Sequence, residues 1–209
     1  MTSFAEAMAA LPLVAILRGI KPGEALAIGE ALVAAGFRLI EVPLNSPDPF
    51  ASIDLLAKAL AGRAVVGAGT VLRVEDVDAL AAAGGRLVVS PHTDVEVIAH
   101  AKARGLIAVP GFATPSEGFA ALKAGADALK LFPAEAAPPN VLKAMKAVLP
   151  KAVAVLPVGG IAPETMAAYV AAGAAGFGLG SALYKPGDDA AAVALKARAF
   201  VQAWAPLRS

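Results

Sequence analysis

Ala124-Gly125-Ala126-Asp127-Ala128-Leu129-Lys130-Leu131-Phe132-Pro133 holds one unit of the pattern that decides the fold. A glycine just past a helix end takes the left-handed conformation cheaply, so Gly125 reads as a helix stop. Ala128–Phe132 then reads as a short strand buried on both faces. The couplet recurs in both directions along the chain. Gly36, Gly62, Gly84, Gly105 and Gly173 close other helical stretches, and Pro150 divides the long interval after Gly125 into two units. Strand-like runs follow these stops at Leu39–Val42, Ala64–Gly67, Leu87–Ser90, Ile107–Val109, Val153–Leu156 and Gly176–Leu179, and Leu13–Leu17 precedes them all. Apolar strands alternating with helices predict a parallel sheet covered by helices. Eight such units in 209 residues match a (β/α)8 TIM barrel at the compact end of its size range. An open doubly wound sheet normally uses five or six strands and leaves two units over. Met1–Ala10 is expected to be an extra N-terminal helix closing the bottom. No Pro/Gly/Ser linker divides the chain, so residues 1–209 read as one domain.

Composition narrows the function classes. The chain is 58% hydrophobic and 17% charged, with a net charge of +1 and no block of like charge. That is far from a disordered composition, and it lacks the basic patch of a nucleic-acid or membrane-surface protein. Zero cysteines exclude disulfides, thiolate-bound zinc, iron–sulfur clusters and a cysteine nucleophile. The absence fits the cytoplasm. Thr165–Tyr184 carries no charge over a bilayer-spanning length. Its four glycines and mid-course change of period read better as a helix ending at Gly173 and then a buried strand. With only His92 and His100, no cluster at metal-ligand spacing is visible, and no bound metal is expected.

A barrel places chemistry at the C-terminal ends of its strands, so the polar residues that interrupt or end the strands carry the weight. Lys130 lies inside the sixth run. If Leu129 and Leu131 pack under helices, alternation turns Lys130 inward. Burial lowers an ammonium's pKa, and a neutral amine forms Schiff bases with carbonyl substrates. The plainer reading is a lysine snorkelling at a strand end. Glu41 interrupts the second run, as a general acid/base or as the buried partner of Arg18 or Lys130. Arg18 ends the first run, where a guanidinium can hold a substrate carboxylate. Thr70 offers a hydroxyl beside glycines that let a ligand approach. Gly159-Gly160 and Gly178-Leu179-Gly180-Ser181 end the last two runs, where such barrels often bind phosphate through backbone N–H groups and a helix N-terminus. A plain turn is the alternative for each loop.

Together the motifs resemble the class I 2-keto-3-deoxy-6-phosphogluconate/6-phosphogalactonate aldolases, small trimeric (β/α)8 barrels. The matching segments run nearly end to end: Val14–Ile20, Ile40–Pro47, Gly67–Val71, Val109–Thr114, Ala128–Pro133, Val158–Ile161 and Gly178–Ser181. The resemblance implies that Lys130 forms the Schiff base and Glu41 moves protons. It places Arg18, Thr70, Pro91 and Phe132 in the substrate pocket and Gly159, Gly160, Gly180 and Ser181 on the phosphate. It implies no cofactor, a homotrimer, and a phosphorylated keto acid as the small-molecule partner. Members acting on the gluconate epimer usually carry an arginine four residues after the glutamate and a threonine before the double glycine. Asn45 and Val158 stand there instead, which resembles the galactonate branch. Two rival functions use the same residues: a phosphate-binding isomerase or epimerase with Glu41 as base, and a catalytically idle phosphosugar-binding barrel.

Overall fold

The computed structural model describes residues 2–207. Its first helix, α1 (Phe4–Ala10), is held at its start by a capping box in which Ser3 and Glu6 exchange hydrogen bonds. The expected helix reached back to Met1, which lies outside the described residues. From there strands and helices alternate: β1 (Leu13–Ile16), α2 (Pro22–Ala34), β2 (Leu39–Pro43), α3 (Pro49–Ala59), β3 (Val65–Gly69) and α4 (Val74–Ala82). They continue as β4 (Leu87–Val89), α5 (Val95–Ala103), β5 (Ile107–Val109), β6 (Gly111–Phe112), α6 (Pro115–Lys123) and β7 (Leu129–Leu131). The last are α7 (Pro139–Val148), β8 (Val155–Pro157), α8 (Met166–Ala171), β9 (Phe177–Leu179) and α9 (Ala190–Trp204).

Local chemistry sets these boundaries. A proline at the first helical turn opens α2, α3, α6 and α7, where its missing N–H is not needed. The Asp94 carboxylate accepts the N–H groups of Glu96 and Val97 at the start of α5. All six glycines read as helix stops have φ between 70° and 111°. The stretch Thr165–Tyr184 resolves into α8, a left-handed Gly173 and β9, as its change of period implied. No helix among the described residues is long and apolar enough to cross a membrane.

Every strand pairing is parallel. Six strands form one sheet in the order β5-β4-β3-β2-β1-β9, and three form a second in the order β6-β7-β8. Two seams join them. On one side β5 and β6 are parted only by Pro110, whose ring removes a ladder donor. Across it the Asp127 N–H donates to the Ala108 carbonyl and the Lys130 N–H to the Pro110 carbonyl, each at 2.9 Å. On the other side a parallel bridge joins Val158 to Gly178, and the Ala175 N–H donates to the Val155 carbonyl at 3.0 Å. The sequence placed the seventh strand at Val153–Leu156. It starts two residues later, because the Val153 N–H is spent on a turn to the Pro150 carbonyl.

Alternation divides the apolar residues into two cores. Leu129 and Leu131 pack between strands and helices with Leu13, Ile40, Val42 and Leu179. Val14, Leu39, Val65, Leu87, Val109, Ala128 and Leu156 form an inner cluster that α1 covers with the fully buried Ala7. The leucines of β7 therefore face the helices, and Lys130 between them faces inward.

Candidate active site

Lys130 is 5% exposed. Gly111 flanks it on one side and Leu156 on the other, through the β6–β7 and β7–β8 registers. Burial pushes its pKa below the usual lysine range and the Arg18 charge pushes the same way, with Glu41 acting against them. Its Nζ lies 4.7 Å from the centre of the Phe132 ring, two residues on along the same face.

Glu41 is 1% exposed on β2, opposite Ile16 on β1 and Gly67 on β3. Burial pushes its carboxyl up to about 7, although the charges of Lys130 and Arg18 both favour ionisation. Its Oε2 is buried without a hydrogen-bond partner, a costly arrangement for a carboxylate. A carboxyl poised near neutrality beside an amine with a depressed pKa is suited to passing protons.

Two spaces meet at the lysine. Below it a small apolar cavity includes Glu41, Val14, Leu87 and Leu156 in its walls. Above it a cleft of about 570 Å³ opens outward, with Arg18, Phe132, Gly159, Gly160, Gly180 and Ser181 among its lining residues. Lys130, Ile16 and Val158 border both. The expected lysine, glutamate, arginine and glycine loops thus converge on one place.

Arg18 is exposed at the mouth and tied down by its neighbours. Its Nη1 donates to the Asn45 Oδ1 at 2.7 Å, and the adjacent Gly19 N–H donates to the Ser46 Oγ at 2.9 Å. These parallel bonds join the loop after β1 to the loop after β2. Asn45 therefore touches Arg18 and does not line the cleft.

Thr70 and Pro91 also lie outside the cleft lining. Thr70 follows Gly69 directly and has φ 56°, a left-handed conformation unusual for a β-branched residue. Pro91 follows β4 and packs its backbone against Gly111. The loop after Gly160 leads into a three-residue 3-10 turn, Pro163–Thr165, rather than directly into an α-helix.

Three lining residues with polar or charged side chains escaped the sequence reading: Glu135, Tyr184 and Lys185. Burial and the neighbouring Glu24 push the Tyr184 hydroxyl up to about 12. Lys185 follows the last glycine loop by four residues, and that proximity was the available signal. No cluster of three His, Asp or Glu side chains able to hold a metal exists among the described residues.

The chain is similar to known proteins along most of its length. The family model described as "Aldolase: KDPG and KHG aldolase" matches residues 4–194. The chain is 51% identical to the 2-dehydro-3-deoxy-6-phosphogalactonate aldolase of Escherichia coli K12 over 93% of this chain and 95% of that protein. It is 47% identical to a probable 2-dehydro-3-deoxy-6-phosphogalactonate aldolase of Rhizobium meliloti over 92% and 91%. A solved structure described as native KDPGal superposes with a TM-score of 0.93 at 50% identity, covering 94% of this chain and 96% of that one.

Proposed function

The chain belongs to the KDPG and KHG aldolase family, and we propose that it cleaves 2-keto-3-deoxy-6-phosphogalactonate to pyruvate and D-glyceraldehyde 3-phosphate. It is an aldehyde-lyase of the Schiff-base class, on the phosphogalactonate branch of its family. The observation that carries the mechanism is the buried Lys130 amine at the junction of cleft and inner cavity.

The neutral Lys130 amine adds to the C2 ketone, and loss of water leaves an iminium. The iminium draws electrons from the C3–C4 bond while the Glu41 carboxylate, through a water, accepts the C4 hydroxyl proton. The bond breaks, glyceraldehyde 3-phosphate leaves, and C3 of the enamine is protonated. Water then hydrolyses the iminium, releasing pyruvate and restoring the amine. Arg18, held by Asn45, pairs with the substrate carboxylate. Gly159, Gly160, Gly180 and Ser181 hold the phosphate, while Phe132 and Val158 flank the reacting carbons. Thr70 and Pro91 border the pyruvate end from the neighbouring strand ends. No step calls for a metal or a cofactor.

We read the two sheets as one closed (β/α)8 barrel, in which Ile107–Phe112 counts as a single kinked strand and α1 plugs the bottom. The hydrogen bonds across both seams support this reading. A homotrimer is supported by the family and by exposed Leu72, Val95 and Phe119, at or beside the neighbouring helices α4, α5 and α6. A cytoplasmic location follows from the substrate, since a phosphorylated acid does not cross a bilayer unaided.

Borohydride treatment with pyruvate tests the assignment. Irreversible inactivation is expected, with a mass gain confined to the Lys130 peptide. An unmodified Lys130 peptide removes the Schiff-base mechanism and leaves the isomerase or binding-protein readings.

A further inference from the structure

Glu135 is the only carboxylate among the residues lining the cleft, and no sequence motif singles it out. It stands on a 3-10 turn, Ala134–Ala136, just after β7. Its side chain reaches across to the double glycine. A Cβ added to Gly159 would collide with its carboxylate, and one added to Gly160 would collide with its stem and carboxylate carbons. Both glycines also have positive φ, 110° and 62°. The turn therefore requires glycine at both positions, and the acidic side chain rests in the space their missing side chains leave. Among the described residues, Glu135 neither accepts a hydrogen bond nor forms an ion pair. The same loop is where the proposed substrate's phosphate should sit, and two anions cannot share it without repulsion.

We propose that Glu135 sets how tightly the phosphate end of the substrate is held, as an internal anion that the phosphate displaces from the Gly159–Gly160 pair. The inference rests on the phosphate reading of that loop. Binding a phosphorylated ligand moves the Glu135 carboxylate aside against like-charge repulsion, which weakens binding. The same repulsion speeds departure of the product that keeps the phosphate. Glu135 is exposed, so the side chain has room to swing. The effect is electrostatic and must shrink as salt screens it.

The test measures inorganic phosphate as a competitive inhibitor of cleavage, in wild type and in Glu135→Gln, at low and high potassium chloride. The expected result is an inhibition constant lower by about three- to tenfold in the variant at low salt, with the gap closing at high salt. A KM for the phosphorylated substrate that falls with it supports the same conclusion. Equal inhibition of both proteins withdraws the role of Glu135 and leaves the phosphate loop standing. Weaker inhibition of the variant overturns the proposal in the other direction, making Glu135 an acceptor for the ligand. Phosphate that inhibits neither protein withdraws the phosphate reading, and the proposal falls with it.

Discussion

The Glu41 carboxylate fills the position that a side chain on Gly69 would occupy. Gly69 sits one strand over, at the end of β3, paired with Pro43. The glycines of Gly67-Ala68-Gly69 therefore serve a purpose beyond letting a ligand approach. Gly67 leaves room for the Leu87 backbone, and Gly69 leaves room for the carboxylate. A carboxyl this deeply buried depends on what its neighbours lack.

Gly69→Ala should consequently act as a Glu41 variant. We expect turnover to fall by roughly the 10²-fold typical of a misplaced general base, with far-UV circular dichroism unchanged. Near-normal turnover would show that the carboxylate has another place to go.

With its carboxyl near pH 7, Glu41 should impose an acid limb on kcat/KM. Below that pH the group is protonated and accepts nothing, so the rate falls with pH. Glu41→Gln should lower turnover by about 10²–10⁴-fold and abolish the limb. A limb that survives the substitution belongs to another group.

The same burial has a stability sign. The folded-state pKa lies above the ordinary carboxylate value, so the folded protein binds the proton more tightly than the unfolded chain. Stability from this group is fully present below about pH 4.5 and is lost as pH rises to about 7. Glu41→Gln should therefore be more stable than wild type at pH 8, by an amount on the order of 3 kcal/mol at most, with no gain at pH 4. Thermal melts at the two pH values measure it. A variant less stable at pH 8 would mean that the carboxylate is anchored by its neighbours rather than strained by burial.

Val158 is 7% exposed and packs against Gly178 at the bridge between β8 and β9. Its side chain offers no hydrogen bond to the C4 hydroxyl, the group whose configuration separates the two candidate sugars. An unpaired hydroxyl typically costs about 1–3 kcal/mol, or roughly five- to 150-fold in rate. A preference for the galactonate epimer with measurable activity on the gluconate epimer is expected. Val158→Thr should shift the kcat/KM ratio towards gluconate. Wild-type preference for gluconate by tenfold would overturn the reading of Asn45 and Val158.

On the proposed mechanism an iminium on Lys130 is the electron sink, so exhaustive EDTA treatment should leave cleavage unchanged. Activity lost to EDTA and restored by a divalent ion would assign that task to a metal.

The repeat was legible because each unit writes its own punctuation. A glycine that must adopt positive φ and a run of apolar residues are local signals, and Gly125 with Ala128–Phe132 carries both. The break at Pro110 was less visible, since Gly111-Phe112 is too short to stand out as a strand. Lys130 and Glu41 were readable as charges interrupting apolar strands. Glu135 was not, because one acid in the turn Pro133-Ala134-Glu135-Ala136 looks like ordinary surface. Asn45 was singled out by motif, yet its contact with Arg18 joins residues 27 apart and exists only once β1 and β2 lie side by side. Thr70 and Pro91 mark the opposite limit: a strand end says which rim a residue occupies, but not how far round it.

Helix α1 is fastened as well as packed. The Thr2 hydroxyl donates to the Gly62 carbonyl at 2.7 Å, and the Arg86 guanidinium donates to the Thr2 carbonyl at 3.1 Å. With Ala7 seated on the inner cluster, closure of the two sheets as proposed leaves the cleft beside Arg18 and the glycine loops as the door to Lys130. Traffic through one door is ordered. On the proposed mechanism the pyruvate carbons, bonded to Lys130 at the inner end, are first in and last out, and the phosphorylated aldehyde nearer the mouth must clear the way before them. In the direction of bond formation the same geometry makes pyruvate the leading substrate, and an aldehyde that enters early only blocks its path.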